Sequence, residues 1–310
     1  TPFVWPRVIK RVWDTHPFDL LRAHSVRFVG PAALLARRRY RLPVPVVTHH
    51  HHLDPSPLNP LIEKRVLEAS DRVITDSQFA RRQLADELGI GTDRVEVVYC
   101  GVGPKYAPMP KDPALVGRLG LHGKQVLLCL GPLIHRKNPF FLLEAFAEIR
   151  RAAPGPVALV WVGAGPLRSE LDARARRLGL DGAVVFTGYV PEAEKVAVLN
   201  LADVFVFPSL LEGFPLAPQE AMSCGKPVVA FRVASLPEMI EEGRSGFLVE
   251  RNDRLAFVDR VLRLLGDRAL LASFGAAAAK RVDRYFRWDL TVRQVLKVYQ
   301  EIVDEFRRGR

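Results

Sequence analysis

The chain has 310 residues, of which 48% are hydrophobic and 25% charged. This balance is that of an ordinary globular protein and excludes a disordered, collagen-like or coiled-coil chain. At roughly 150 residues per domain, the length predicts two domains. The longest apolar stretches, Ala158–Gly165 and Asp203–Leu211, fall short of the ~18 residues of a membrane span, so no transmembrane helix is predicted.

The net charge of +11 comes from 45 basic and 34 acidic residues. The surplus is diffuse: residues 1–105 hold 16 basic and 11 acidic side chains, and residues 106–310 hold 29 and 23. Nucleic-acid binders usually concentrate positive charge on one face, so no nucleic-acid partner is predicted, whereas nucleotide phosphates or an anionic membrane surface are favoured. The three cysteines are far apart. This spacing predicts neither disulfides nor a cysteine zinc site, and it favours a reducing, cytoplasmic location.

Short apolar runs alternate with longer amphipathic runs, a pattern typical of parallel sheets covered by helices. In the first third, the predicted strands are Asp19–Ala23, Val44–Thr48, Arg72–Asp76 and Arg94–Tyr99, and the predicted helices are Pro31–Arg41, Pro60–Ala69 and Ser77–Leu88. The segment Cys100–Pro113 is rich in Gly and Pro and is predicted to be a linker.

A second series of strands and helices follows the linker. The predicted strands are Gln125–Gly131, Val157–Gly163, Ala183–Gly188, Val204–Pro208, Pro227–Phe231 and Gly246–Val249, and the predicted helices are Asn138–Arg151, Pro166–Leu178, Glu192–Leu201, Leu216–Ser223 and Asp253–Leu265. Leu270–Phe306 is predicted to be helical, with a break at Trp288 and with Asp289 as N-cap. The fold class is therefore α/β, with two Rossmann-like parallel-sheet domains and ligand-facing loops at the carboxyl ends of the strands.

The clearest chemical signal is the segment Glu212–Glu220 (EGFPLAPQE), which runs from a predicted buried strand into a helix. Gly213 lets backbone approach a ligand closely, and the free N–H groups of a helix starting near Leu216 attract an anion. Glu212 and Glu220 can accept hydrogen bonds from sugar hydroxyls. The alternative is that both glutamates are solvated charges near a helix end.

This segment and several others resemble the retaining glycosyltransferases with the GT-B fold, often called family 4 or glycosyl transferases group 1. Glu212 and Glu220 match the E-x7-E motif of that family. The other segments that carry the resemblance are Leu127–Phe146 (LLCLGPLIHRKNPFFLLEAF), Val184–Ala230, Gly243–Val249 (GRSGFLV), Ala69–Phe79 (ASDRVITDSQF) and Val97–Val102.

The resemblance implies a domain plan. Residues 1–105 are expected to form a partial N-terminal acceptor domain, and residues 106–285 a nucleotide-sugar donor domain. Residues 286–310 are expected to form a helix that packs back toward the N-terminal domain. The first domain of the family normally opens with a strand and a glycine-rich loop that this sequence lacks. The first domain is therefore expected to be incomplete, and the chain to begin inside a longer protein.

The resemblance also implies roles for the donor-binding residues. Glu220 is expected to bind the ribose hydroxyls and Glu212 the hydroxyls of the transferred sugar. The backbone N–H groups of Phe214, Leu216 and Ala217 are expected to hold phosphate oxygens. Tyr189 and Val190 lie in a loop similar to the one that holds the nucleobase, although Tyr189 could instead serve packing.

Arg136 and Lys137 follow a predicted strand immediately before a helix. Two cations there can stabilise the negative charge that builds up on a leaving diphosphate. The resemblance implies that such side chains replace a divalent metal, so no metal cofactor is expected. Many relatives carry Arg directly after the glycine of this strand, where this chain has Pro132. The alternative is a solvated pair, which the helix dipole disfavours.

Four consecutive histidines, His49–His52, follow the predicted strand Val44–Thr48. By resemblance, His51 is expected to contact the donor sugar and face the acceptor, and His24 to line the acceptor site. A plain loop histidine and a core histidine are the respective alternatives. A metal site is not expected, because alternate histidines on an extended loop should point apart and no carboxylate or cysteine spacing supports one.

The predicted helix Pro31–Arg41 carries Leu34 and Leu35 beside Arg37, Arg38, Arg39 and Arg41. Such a helix can contact anionic lipid at the inner face of a membrane, and several members of the family modify lipid-linked acceptors. An ordinary solvated helix face fits the same pattern.

The predicted function is transfer of a sugar, with retention of configuration, from a nucleoside-diphosphate sugar to a hydroxyl of a sugar or lipid-linked acceptor. Two alternatives stay open. One is a nucleotide-sugar binding module without catalysis, including a truncated and inactive transferase. The other is a basic membrane or nucleic-acid adaptor. The sequence does not predict the nucleobase, the sugar or the acceptor.

Overall fold

The computed structural model describes residues 4–51 and 59–309. The chain forms two compact units, one made of Thr1–Cys100 with Asp289–Arg310 and the other of Gly101–Trp288. The predicted boundaries after residues 105 and 285 lie five and three residues from these. Among the residues that the structure describes, no helix is both long and apolar enough to cross a membrane.

The helices and strands alternate along most of the chain. In chain order they are α1 Trp5–Thr15, β1 Leu21–Ala23, α2 Gly30–Tyr40, β2 Val46–His50, α3 Asn59–Ala69, β3 Arg72–Thr75, α4 Gln78–Leu88, β4 Val95–Val97, α5 Pro113–Arg118, β5 Gln125–Leu130, α6 Pro139–Ala152, β6 Val157–Val162, α7 Arg168–Arg177, β7 Val184–Gly188, α8 Glu192–Asn200, β8 Val204–Phe207, α9 Leu216–Ser223, β9 Val228–Phe231, α10 Leu236–Met239, β10 Gly246–Val249, α11 Arg254–Gly266, α12 Arg268–Tyr285 and α13 Trp288–Arg308.

The first unit is a parallel sheet in the order β1-β2-β3-β4. Every residue of β2 is buried, as expected for a parallel strand covered on both faces. On one face Val47 and Ile74 pack against Val298 and Ile302 of α13. The last helix therefore belongs to the core of the first unit although it lies at the far end of the chain.

The second unit is a parallel sheet in the order β10-β9-β8-β5-β6-β7. Its core contains large, fully buried side chains such as Trp161, Phe146 and Phe257. The carboxyl ends of its strands lie at one edge of the sheet because all of them run parallel. The loops after β5, β7 and β8 therefore share that edge, where α/β proteins bind ligands.

Several predicted elements differ from the structure. The histidine-bearing strand starts and ends two residues later than expected, so His49 and His50 lie within β2 rather than after it. Helix α1 was not predicted, nor were the short helices α5 and α10. The predicted break in the terminal helical segment is present, since α12 ends at Tyr285 and α13 begins at Trp288. Asp289, however, lies in the first turn of α13 rather than at its N-cap.

Two glycines allow the turns after β5 and β6 to touch. A Cβ atom on Gly163 would lie 2.2 Å from the carbonyl oxygen of Gly131, and one on Gly165 would lie 2.4 Å from that of Leu133. These contacts explain the glycines of the Val162–Pro166 turn by close backbone packing.

We predict that Gly163→Ala destabilises the protein by about 3 kcal/mol, because a side chain would clash with backbone and would need a left-handed conformation; φ of Gly163 is +137°. Gly155→Ala is the matched control, since a Cβ there has no atom within 4 Å, and its effect should stay within about 0.5 kcal/mol. Urea denaturation measures both variants. Equal stability of the two would contradict the packing role of Gly163.

Candidate functional site

The predicted cation pair and the predicted acidic loop meet at the carboxyl edge of the larger sheet. Lys137 Nζ lies 2.5 Å from Glu212 Oε1, and Arg136 Nη1 lies 3.0 Å from Glu212 Oε2. The side chains of Lys137 and Glu212 are only 9% and 7% exposed, whereas Arg136 is 43% exposed. A buried carboxylate is thus neutralised by one buried and one exposed cation.

Local structure holds these side chains in place. One turn of 3₁₀ helix, His135–Lys137, follows β5. Its backbone joins the β8 loop directly: Leu210 N–H donates to the carbonyl of Arg136, and the Arg136 side chain donates to the carbonyl of Leu211. The Lys137 ammonium also lies 4.6 Å from the centroid of the Phe207 ring, a cation–π contact.

Glu220 has a different partner. It is buried within α9, and its Oε1 accepts a hydrogen bond from Lys195 Nζ at 2.7 Å. Lys195 also contacts Glu192 at 2.9 Å, and the Tyr106 hydroxyl donates to Glu192 at 2.7 Å. Burial would lower the pKa of Lys195, but its hydrogen bonds to Glu220 and Glu192 outweigh burial and raise it. Lys195 therefore stays charged and fixes the Glu220 carboxylate.

The start of α9 presents the groups expected to hold phosphate. The helix begins at Leu216 as predicted, and no side chain among the described residues caps its first turn. Ser235 donates a hydrogen bond to the carbonyl of Gly213 and so fixes the preceding loop. The ring of Phe214 packs near Phe286. The first backbone N–H groups of a helix without a cap can bind an anion.

Tyr189 follows β7 at the same edge of the sheet and is 80% exposed. Such exposure excludes the alternative in which this ring serves core packing. The nucleobase role of Tyr189 and Val190 stays a prediction.

In the first unit, three histidines come together around one aspartate. His24 follows β1, and His49 and His51 lie at the end of β2, next to it in the sheet. The rings of His49 and His51 stack with centroids 4.3 Å apart, and the His24 ring lies 4.9 and 4.8 Å from them. The expectation that alternate histidines point apart was wrong, because residues i and i+2 of a strand share a face.

Asp76 orients two of these rings. It follows β3 and lies 2.7 Å from His49 Nε2 and 2.5 Å from His51 Nδ1. Burial would raise the pKa of Asp76, but these hydrogen bonds outweigh burial and hold it far below its usual range. An ionised carboxylate only accepts hydrogen bonds. The protons of neutral His49 and His51 therefore lie on the nitrogens that face Asp76, and His51 Nε2 keeps its lone pair.

Other groups around the histidines were not predicted. Arg22 Nη2 lies 2.7 Å from His49 Nδ1, and Cys100 Sγ lies 3.4 Å from Asp76 Oδ1. Burial lowers the pKa of His49 despite its hydrogen bond to Asp76. Burial, followed by the charge of Arg22, lowers the pKa of His24. His52 lies outside the described residues.

The predicted membrane helix is α2. Arg38 and Arg39 are exposed, as is Leu35, whereas Arg37 forms an ion pair with Asp71. Contact of helix α2 with anionic lipid stays a prediction.

Two family models match the chain. The model of glycosyl transferases group 1 covers residues 116–281, and that of glycosyltransferase family 4 covers residues 2–106. The chain belongs to the group 1 glycosyltransferases. The predicted family and the predicted class of two Rossmann-like parallel-sheet domains are confirmed.

Sequence relatives within this family include a D-inositol 3-phosphate glycosyltransferase of Acidothermus cellulolyticus, 37% identical over 79% of this chain and 56% of the relative. Another is the GDP-mannose-dependent alpha-(1-6)-phosphatidylinositol monomannoside mannosyltransferase of Mycolicibacterium smegmatis, 32% identical over 90% of this chain and 76% of the relative. The chain thus spans little more than half of the first relative and about three quarters of the second.

Solved structures share the fold of this group 1 glycosyltransferase. Anabaena HepE in complex with UDP has a TM-score of 0.86 at 25% identity, over 96% of this chain and 82% of that one. Sucrose-phosphate synthase of Thermosynechococcus elongatus has a TM-score of 0.83 at 23% identity, over 97% and 78%; at that identity it shows the fold alone.

We predict that Lys137→Met lowers the free energy of unfolding by about 3 kcal/mol, because it leaves the buried Glu212 carboxylate with only an exposed partner. Arg136→Met is the matched control. It removes an exposed partner of the same carboxylate and should cost less than about 1 kcal/mol.

Chemical denaturation of both variants provides the measurement. The double variant Lys137→Met/Glu212→Gln should recover part of the loss, since the uncompensated charge is then gone. A larger loss for Arg136→Met than for Lys137→Met would contradict this assignment of the buried pair.

Proposed function

We propose that the chain is a retaining glycosyltransferase that moves a sugar from a nucleoside-diphosphate sugar to an acceptor hydroxyl. The second unit would bind the donor, and the first unit would contact the acceptor through His51 and His24. The observation that carries the proposal is the meeting of Arg136, Lys137 and Glu212 at the edge of the sheet. Segments 75 residues apart form one charged cluster there.

In this proposal the cations act on the leaving group. Breaking the bond between sugar and diphosphate places negative charge on the phosphate oxygens, which Lys137 and Arg136 would stabilise together with the N–H groups that begin α9. Pro215 has no N–H and contributes shape only. Binding of phosphate would draw Lys137 away from Glu212 in part, so the carboxylate could accept hydrogen bonds from the sugar. No divalent metal is required for this step.

Glu220 would bind the ribose hydroxyls. Lys195 keeps this carboxylate in place before the ligand arrives, which reduces the conformational cost of binding. Tyr189 and Val190 would contact the nucleobase.

On the acceptor side, His51 Nε2 offers the lone pair that the hydrogen bond to Asp76 leaves free of a proton. It would accept a hydrogen bond from a second hydroxyl of the acceptor and so orient that molecule. The attacking hydroxyl would bond through its oxygen to the sugar carbon as the sugar–phosphate bond breaks, and its one proton would go to the leaving phosphate on the same face. That course retains the configuration at the transferred carbon. The names of the relatives make inositol phosphate and phosphatidylinositol mannoside the first acceptors to test. The proposed location is the cytoplasm.

We expect Glu220→Gln to weaken donor binding about tenfold or more, because a charged hydrogen bond to the ribose is worth ~1.5–3 kcal/mol. A thermal-shift panel of UDP-, GDP- and ADP-sugars identifies the donor, since a ligand stabilises the fold in proportion to its affinity. Calorimetry on that donor then compares the variants. Glu170→Gln, at an exposed carboxylate on α7, is the control and should bind normally. Binding of polyanions that falls steeply with salt, with no donor response, would favour the adaptor instead.

Turnover tests the reaction itself. With the identified donor, we expect a product of retained configuration by NMR, the same rate in EDTA, and a loss of about 10²–10³ in kcat for Lys137→Met, assayed where this variant is folded. Lys280→Met, an exposed lysine on α12, should keep the full rate. Donor binding without turnover would identify a binding module, and an inverted product would refute the proposed course.

A further inference from the structure

The histidine cluster of the first unit has the composition of a metal site. One ring nitrogen from each of His24, His49 and His51 lies within 4.8 Å of the others. Two adjacent parallel strands present them: β1 ends just before His24, and β2 ends between His49 and His51. Imidazole is the ligand type that suits Zn²⁺ and its neighbours in the first transition row.

The spacing fits a shared ion. Two imidazole nitrogens that bind one tetrahedral Zn²⁺ at ~2.0–2.1 Å lie about 3.3 Å apart. His51 Nε2 and His24 Nδ1 are 3.2 Å apart. A hydrogen bond accounts for this distance as well. The third nitrogen, from His49, lies within 4.8 Å of the other two, and the His49 ring must turn out of its stack on His51 for its lone pair to face the same ion.

Asp76 supplies the outer carboxylate that zinc-binding histidines usually have. By accepting from His49 Nε2 and His51 Nδ1, it directs the lone pairs to His49 Nδ1 and His51 Nε2. A carboxylate in this role fixes the tautomer and raises the basicity of the ligand. Here one carboxylate does so for two of the three rings.

The site is accessible to an ion. His24 is exposed, and the side chain of His51 is 39% exposed. A cavity of about 140 Å³ is lined by the three histidines, His50, Glu63 and residues of the β1–α2 loop. Three protein ligands facing such a cavity would leave the fourth position of a tetrahedral ion for water.

Arg22 opposes the binding of a metal ion at the histidine cluster. Its guanidinium contacts the lone-pair nitrogen of His49 at 2.7 Å and must move aside for an ion. Arg22 is exposed and can turn toward solvent, but doing so breaks this hydrogen bond, and its charge repels a cation.

We propose that His24, His49 and His51 form a binding site for a divalent transition-metal ion of the Zn²⁺ class. The ion is not a cofactor of the transfer reaction. The metal ion would bind His51 Nε2, the atom proposed above to contact an acceptor hydroxyl. A bound ion would therefore inhibit sugar transfer, and only this consequence rests on the proposed function.

The test measures metal binding directly on the full chain after treatment with chelator. Isothermal titration with ZnCl₂ should give one ion per chain, and Co²⁺ should show the visible absorption of a four-coordinate ion. His24→Ala should weaken Zn²⁺ binding at least tenfold, and Asp76→Asn by about 10–100-fold. Arg22→Gln should strengthen it. Circular dichroism checks that each variant is folded.

A control variant distinguishes binding by the three proposed ligands from nonspecific binding by the consecutive histidines His49–His52. His52→Ala removes a neighbour in the run but no proposed ligand, so it should leave affinity unchanged. Affinity lost in His52→Ala but kept in His24→Ala would show that the run alone binds the ion and would overturn the proposal. Absence of one-to-one binding by the folded chain would overturn it too. Zinc binding in a chain that shows no turnover would support this site while refuting the proposed function.

Discussion

A carboxylate removed from water must have partners, and this requirement organises the candidate sites of both units. Glu212 is buried against Lys137, Glu220 against Lys195, and Asp76 against two histidines. In each case the acid and its partner belong to different strand–helix segments of the same unit. Parallel sheets bring such segments together at one edge, so residues far apart along the chain become neighbours.

The alternation of strands and helices was predictable because the apolar periods of the second unit are regular. The helix Leu216–Ser223 and the strand Gly246–Val249 match the prediction at both ends. The position of β2 was not predictable in the same way. All of its residues are buried, but it ends in polar histidines, and polar residues normally indicate the end of a buried strand. Helix α1 was not predicted, although the apolar residues of Trp5–Thr15 recur at helical spacing.

The candidate site residues also divide into those that the sequence predicts and those that only the structure reveals. Arg136, Lys137 and Glu212 were predicted because each lies in a segment that resembles the family and stands between a predicted strand and a helix. Asp76 and Lys195 were missed because each matters only through a partner 25 residues away, and that proximity depends on strand order. The one available signal for Asp76 was its place at the carboxyl end of the predicted strand Arg72–Asp76, where ligand-facing residues concentrate.

The backbone bonds that join the turn at Arg136 to the loop at Leu210 and Leu211 have a mechanical consequence. Hydrogen bonds link the turn that carries Arg136 and Lys137 to the loop that carries Glu212, so the two segments are expected to move together. The close contact between the β5 and β6 turns supports the first of these segments. Thermal motion of this edge would then carry opposite charges in the same direction and keep their separation constant. An incoming anion would meet an electric field that does not fluctuate with the loops that produce it.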